Sequence, residues 1–236
     1  MTSSILENRR IRTISIVGNG PVSQADAAHI DKADLVLRFN GASSCGAAGQ
    51  RIDVLMLNRA RVYMSKRINP VALHRASEVW VNDIRENGQV DWLFERECKP
   101  YYLGFGPVTK AREHLKKFDA FATSKPTSGA SIIAEFLDRF PCAEIHLFGF
   151  THQGAQSTHD WDAERHWIEQ LCGEGRIAKT PDPGAPCEKE PEGQAGIRAP
   201  FFWKKTNQTL SVQQDPAFLR KHETQDLRQV ITRASA

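Results

Sequence analysis

Residues 14–21 read Ile14-Ser15-Ile16-Val17-Gly18-Asn19-Gly20-Pro21. A short run dominated by β-branched residues, ending at once in Gly-Asn-Gly, describes a buried strand that closes in a tight turn. Where such a strand feeds a helix, backbone N–H groups and the helix N-terminus meet a phosphate. A plain strand-to-helix turn without a ligand has the same appearance. The full dinucleotide fingerprint needs a third glycine, and Ser23 stands where it would fall.

The same texture recurs on the C-terminal side. Apolar runs at Thr13–Val17, Leu35–Phe39, Asp53–Leu57, Glu78–Val81, Tyr101–Leu103 and Glu144–Phe148 predict strands buried on both faces. Between them, helices are expected at Gln24–Asp31, Pro70–Arg75, Gln89–Cys98, Val108–Phe118, Ser128–Phe140 and His159–Cys172. In the helix from Ser128, Ile132, Ile133, Phe136 and Leu137 fall at helical spacing and form one apolar face. Strands alternating with helices imply an α/β fold, a Rossmann-like three-layer sandwich around a mostly parallel sheet.

This domain spans residues 1–172. Residues 173–200, GEGRIAKTPDPGAPCEKEPEGQAGIRAP, are dense in Gly and Pro and predict a flexible loop or lid. In residues 201–236, Phe201, Phe202 and Trp203 are apolar enough to dock on the domain. A polar helix from Asp215 has Leu219, Leu227 and Val230 as its few anchors.

Of the 236 residues, 40% are hydrophobic and 25% charged, which excludes wholesale disorder. With 31 basic and 28 acidic side chains the net charge is +3, too balanced for a nucleic-acid binder. The apolar runs are too short to span a bilayer, and MTSSILENRR lacks the core of a signal peptide. Five widely spaced cysteines without a CxxC pair fit free thiols in a reducing compartment, so a cytoplasmic protein is expected.

Two further stretches bear chemistry. In Pro126-Thr127-Ser128-Gly129-Ala130, Thr127 or Ser128 caps the apolar helix, and small residues leave its first N–H groups open to an anion. An ordinary N-cap would look the same. The stretch Thr158-His159-Asp160-Trp161-Asp162-Ala163-Glu164-Arg165-His166 is the densest cluster of titratable groups in the chain. On a helix, His159, Asp162 and His166 share a face, and a carboxylate beside a histidine suits it to general-base work. A metal site joined by His146 or His152 is the rival, but there is no HExxH and no matching cysteine spacing. At the end of the second strand, Arg38 keeps open a 2′-phosphate contact and an NADP-dependent oxidoreductase, although no Tyr-x-x-x-Lys pair accompanies it.

Taken in order, these elements resemble the sialyl motifs of glycosyltransferase family 29, the sialyltransferases. The large motif is similar to Val17–Pro21, then Ile30–Asn40, then Gly49 and Asp53-Val54. The small motif is similar to Pro126–Gly129 followed by Cys142–Phe150, and the very small motif to His159–Glu164 with Asp160 and Asp162. The resemblance covers about residues 12–172 and points to a short soluble bacterial type. It implies a metal-independent, inverting glycosyltransferase without a cofactor, using a CMP-activated or other nucleotide-activated sugar as donor and an unidentified glycan or small-molecule hydroxyl as acceptor. By position, Gly18, Asn19, Gly20 and Asn40 would hold the nucleotide and its phosphate. Thr127, Ser128 and Gly129 would receive the nucleotide or the donor carboxylate. His159 would be the general base, with Glu164 and Asp162 orienting or polarising that region.

Three departures accompany the resemblance. No membrane anchor is expected. Cys142 stands at the small-motif cysteine, but Ile14 occupies its usual partner position. Only Thr151–Thr158 separates the small and very small motifs, leaving His152 where the family has a His-aromatic-aromatic-acid motif. The alternative is a nucleotide-binding accessory or regulatory protein, of the kind associated with urease operons, that has lost transferase activity.

Overall fold

The computed structural model describes residue 6 and residues 10–58, 69–82, 100–118, 124–152 and 158–180. The chain divides into two units, Met1–Cys187 and Glu188–Ala236, and every described residue belongs to the first. The helix expected at Gln89–Cys98 and the segments 181–200 and 201–236 lie outside the described residues.

Seven strands form one parallel sheet: β1 (Thr13–Val17), β2 (Leu35–Phe39), β3 (Val54–Asn58), β4 (Glu78–Asn82), β5 (Tyr101–Tyr102), β6 (Glu144–Phe148) and β7 (Ile177–Lys179). Their order across the sheet is β5-β4-β3-β2-β1-β6-β7, with every neighbouring pair parallel. Alternation along each strand sends side chains to two faces. Ile14, Ile16, Leu35, Leu37, Met56, Trp80, Ile145 and Leu147 share one core with α3 (Gly106–Leu115), α4 (Ser128–Arg139) and α5 (Trp161–Gly173). On the other face, Val36 and Phe148 pack with Ile30 of α1 (Ala27–Lys32), and Leu55, Leu57, Val79 and Val81 pack with Leu73 of α2 (Pro70–Arg75). This is the α/β, Rossmann-like three-layer fold that the alternation of strands and helices predicts.

Several strand and helix ends shift by one to three residues, and three differences from expectation are larger in consequence. The helix expected at Gln24–Asp31 is split into a 3₁₀ turn, Gln24–Asp26, and the six residues of α1, because Ser23 accepts from Ala25 N–H and fixes a tighter first turn. α5 begins at Trp161 because the Asp160 carboxylate accepts from the Ala163 N–H at 3.0 Å and caps it there. His159 therefore precedes the helix and does not share a face with Asp162 and His166. The Gly/Pro-rich stretch opens with the last residue of α5 and then forms β7, where Ile177 pairs with Ile145. A three-residue strand is too short to show a period, and its partner lies some thirty residues away in sequence.

Among the described residues no helix is long and apolar enough to cross a membrane. Cys142 is a free, exposed thiol, while Ile14 is fully buried in the core.

Candidate functional site

β1 runs on to β2 on one side, and β6 flanks it on the other. That reversal is the switch point outside whose strand ends α/β sheets bind ligands. Here the two turns are sewn together: Gly18 N–H donates to the Phe148 carbonyl at 2.7 Å and Gly20 N–H to the Gly149 carbonyl at 3.1 Å. A Cβ on Gly18 would sit 2.4 Å from the Gly149 oxygen, and one on Gly20 would sit 2.7 Å from it. These glycines permit two backbones to touch, and their own N–H groups, offered by the sequence to a phosphate, are already engaged. Asn19 is the exposed member of the turn, and its carbonyl accepts from the Ser43 hydroxyl at 3.1 Å.

The rest of the large-motif stretch fastens the loop after β2. Asp31 accepts from the N–H groups of Gln50 and Arg51, and Gly49 passes so close that a Cβ would lie 2.5 Å from the Asp31 carboxylate. Asp53 accepts from Val36 N–H at 2.8 Å and pairs with Arg51 at 2.8 Å. Arg38 is fully buried, and its guanidinium donates to the carbonyls of Arg51 and Ala48 and to the Ser44 hydroxyl. This corrects the NADP reading: the arginine offered to a 2′-phosphate is turned inward and holds the loop. Asn40, with φ of 49°, uses Oδ1 to accept from Asn58 N–H at 2.9 Å.

The start of α4 is different. Thr127 caps the helix by accepting from Ala130 N–H at 3.0 Å. Its own N–H and hydroxyl donate to the two oxygens of Glu164, at 2.7 and 2.8 Å. The N–H groups of Ser128 and Gly129 precede the helical hydrogen-bond ladder and point out of the helix end, whose dipole favours an anion. Gly129 lies against Phe150, whose ring a Cβ would approach to 2.7 Å.

Just upstream, Lys125 N–H donates to the Thr158 carbonyl at 2.8 Å, and the Lys125 carbonyl accepts from His159 Nδ1 at 2.5 Å. That bond selects the tautomer whose Nε2 carries the basic lone pair. The indole of Trp161 stands edge-on to the His159 ring at 5.2 Å. Residues 125–127 thus clasp His159 and Glu164 together at the start of α4. Glu164 is only 2% exposed. Burial pushes its carboxyl up to about 7, against the opposing pull of the two Thr127 bonds. Of the three residues expected at the catalytic position, Asp162 stands apart, exposed and paired with Arg165 at 2.7 Å.

Sequence reasoning missed two residues here. Asn58 and Asn82, in register at the ends of β3 and β4, both direct Nδ2 at the Ser128 hydroxyl, each at 3.4 Å. The available signal was that three consecutive strands end alike, in Phe39-Asn40, Leu57-Asn58 and Val81-Asn82. His152 also gains weight. It is buried, has φ of 51°, and its Nε2 has no hydrogen-bond partner among the described residues. Burial, then Lys179 and Arg165, drive its pKa down to about 4, so the ring is neutral near pH 7. Strained, unsatisfied polar groups of this kind gather at functional sites. Among the described residues, no three His, Cys, Asp or Glu side chains converge in a way that could hold a metal ion.

No family model matches the chain. Solved structures similar to it include a mammalian sialyltransferase, at 16% identity and a TM-score of 0.48, covering 72% of this chain and 69% of that one. Another is the sialyltransferase CstII from Campylobacter jejuni with cytidine-5′-monophosphate, at 11% identity and a TM-score of 0.44, covering 72% and 80%. In sequence, the chain is 30% identical over 202 residues to the urease operon 23 kDa accessory protein of Rhizobium meliloti strain 1021, spanning 71% of this chain and 92% of the relative. At that identity and coverage, the chain belongs to the family of the urease operon 23 kDa accessory protein.

Proposed function

We propose that the site at the start of α4 binds a nucleotide-activated sugar, with CMP as the nucleotide, and that the protein transfers the sugar to an acceptor hydroxyl. The observation that carries this reading is the clasp of residues 125–127, which joins an open helix N-terminus to a histidine of fixed tautomer. The N–H groups of Ser128 and Gly129 at the helix end receive an anionic group of the donor, and Asn19 and Asn40 meet the nucleotide. His159 Nε2 takes the proton of the acceptor hydroxyl as its oxygen attacks the anomeric carbon. The bond from that carbon to the phosphate oxygen breaks, CMP leaves, and the anomeric configuration inverts. The reaction needs neither a metal nor a cofactor. Loss of such a base costs on the order of 10²–10⁴-fold in rate.

The test is calorimetry and thermal shift against CMP, CDP, UDP, GDP and NADP. A ligand at a hundredfold excess over Kd should stabilise the fold by about 2.7 kcal/mol. CMP is expected to bind, and His159→Ala to remove turnover of a CMP-sugar without removing CMP binding. Binding of NADP alone would end the reading.

A second reading is a nucleotide-binding accessory protein without turnover. The name of the relative favours it, as does the stretch between β6 and α5, where His152 stands in place of a full motif. It predicts CMP binding with no sugar transfer from any CMP-sugar, in wild type and His159→Ala alike.

A further inference from the structure

Asn82 at the end of β4 and Ser128 at the start of α4 have hydrogen-bonding capacity that no other described residue takes up. The Ser128 hydroxyl has one hydrogen and two lone pairs. Asn58 Nδ2 and Asn82 Nδ2 direct N–H groups at the two lone pairs, so among the described residues the hydroxyl hydrogen is left for a further acceptor. Asn82 is 4% exposed, and its Oδ1 is buried with no hydrogen-bond partner among the described residues. Turning the carboxamide over does not resolve this. Oδ1 would then take the Ser128 hydrogen, and Nδ2 would be left instead.

A buried carboxamide with one unmatched end is costly unless a ligand completes it. The cluster adjoins the open first turn of α4, a 12-residue helix, so the completing group belongs to the molecule whose anion sits there. An unmatched acceptor on Asn82 and an unspent donor on the Ser128 that it contacts match a group that both gives and takes a hydrogen bond, which is an alcohol. We propose that Asn82 and Ser128, backed by Asn58, form a hydroxyl-recognition subsite for a sugar ring of the bound nucleotide ligand. This rests on the nucleotide-sugar reading above and adds which part of the donor the strand ends β3 and β4 select. The hydroxyl has two sources, the transferred sugar or the ribose, and they are separable.

The experiment measures dissociation constants of the full chain for CMP-sialic acid, CMP and 2′,3′-dideoxy-CMP, in wild type, Asn82→Leu and Asn82→Ala. Leu roughly keeps the volume and Ala opens space, so a loss shared by both comes from the missing hydrogen bond. Whichever variant keeps the wild-type circular dichroism spectrum carries the test. The expected result is a 5- to 20-fold greater loss for a probe bearing the recognised hydroxyl than for the probe lacking it. Loss for CMP-sialic acid but not CMP assigns the hydroxyl to the transferred sugar. Loss for CMP but not the dideoxy compound assigns it to the ribose. Equal change for all three probes, within twofold, overturns the subsite while leaving the nucleotide reading intact. Failure of the wild type to bind any of the three overturns the nucleotide reading, and the subsite with it.

Discussion

Two turns of this molecule look alike in sequence and behave differently in space. The turn after β1, Val17-Gly18-Asn19-Gly20-Pro21, and the turn before α4, Pro126-Thr127-Ser128-Gly129, are both small-residue turns that lead into a helix. In the first, the glycine N–H groups are engaged by the turn after β6, and the helix that follows has only six residues. In the second, the cap is tied down by Glu164 while the next two N–H groups meet no acceptor among the described residues, at the head of a 12-residue helix. Glycine at a strand end therefore marks a close approach of chain, and only the hydrogen-bond partners reveal whether the approaching group is a ligand or another loop.

The largest way to break this comparison is Gly18→Ala. The new Cβ would meet the Gly149 carbonyl oxygen at 2.4 Å, backbone against backbone, with no flexible side chain to yield. A loss of about 3 kcal/mol or more in urea unfolding is expected. A loss below about 1 kcal/mol would mean that the two turns are not locked together, and the first turn would regain its place as a phosphate cradle.

Next comes the pH dependence of the second turn. Glu164 has a folded-state pKa of about 7 against an ordinary 4.5, so between those values the native state holds the extra proton. Its stabilising increment is complete below about pH 4.5 and is lost as pH rises through 7, at most about 3 kcal/mol in all. Glu164→Gln removes that titration. The stability of the wild type relative to the variant should fall as pH rises from 4.5 to 8. A flat difference would show that burial does not hold the proton on this carboxyl.

A smaller effect decides which turn meets the ligand. Ser128→Ala is expected to weaken CMP-sialic acid binding about fivefold, the loss of one hydrogen bond to a sugar hydroxyl, with about 1 kcal/mol of stability lost because the buried Asn82 Nδ2 loses its partner. A larger loss of affinity in Asn19→Ala than in Ser128→Ala would reverse the comparison and make the first turn the principal anchor.

The fold was legible because its signals are local. Each strand from Thr13–Val17 to Glu144–Phe148 is a short apolar run except Tyr101–Tyr102, which is expected to be buried on both faces and instead lies exposed at the sheet edge. The helix α4 announces itself by Thr127 and its apolar face. The site was legible only in outline. His159, Glu164 and Thr127 meet through bonds spanning more than thirty residues, and the motif pattern signalled the meeting without signalling the bonds. Arg38 was misread because a cation at the end of β2 looks the same whether it faces a phosphate or three oxygens of its own loop. Asn82 was missed because a single asparagine after an apolar run reads as a turn residue. Its burial depends on α4 being laid over the strand end, which is tertiary information.

The smallest effect is also the most discriminating, because it repeats the first substitution on the second turn. Gly129→Ala brings a Cβ to 2.7 Å from an atom as well, but that atom is Cε1 of Phe150, the far side of a ring. Phe150 is only half-buried and lies 6.3 Å from Phe39 and 6.2 Å from His152, centroid to centroid, so the ring can turn where a carbonyl cannot. Alanine also favours the helix by about 0.5–1 kcal/mol over glycine, which offsets part of the crowding. The net change should therefore lie within about 1 kcal/mol in urea unfolding, against at least threefold more for Gly18→Ala. Because the shifted ring borders the turn that leads to His152, a several-fold change in CMP affinity is expected despite the small change in stability. Equal destabilisation by the two alanines would show that both glycines serve only to let chain pack on chain, and the asymmetry between the turns would be lost.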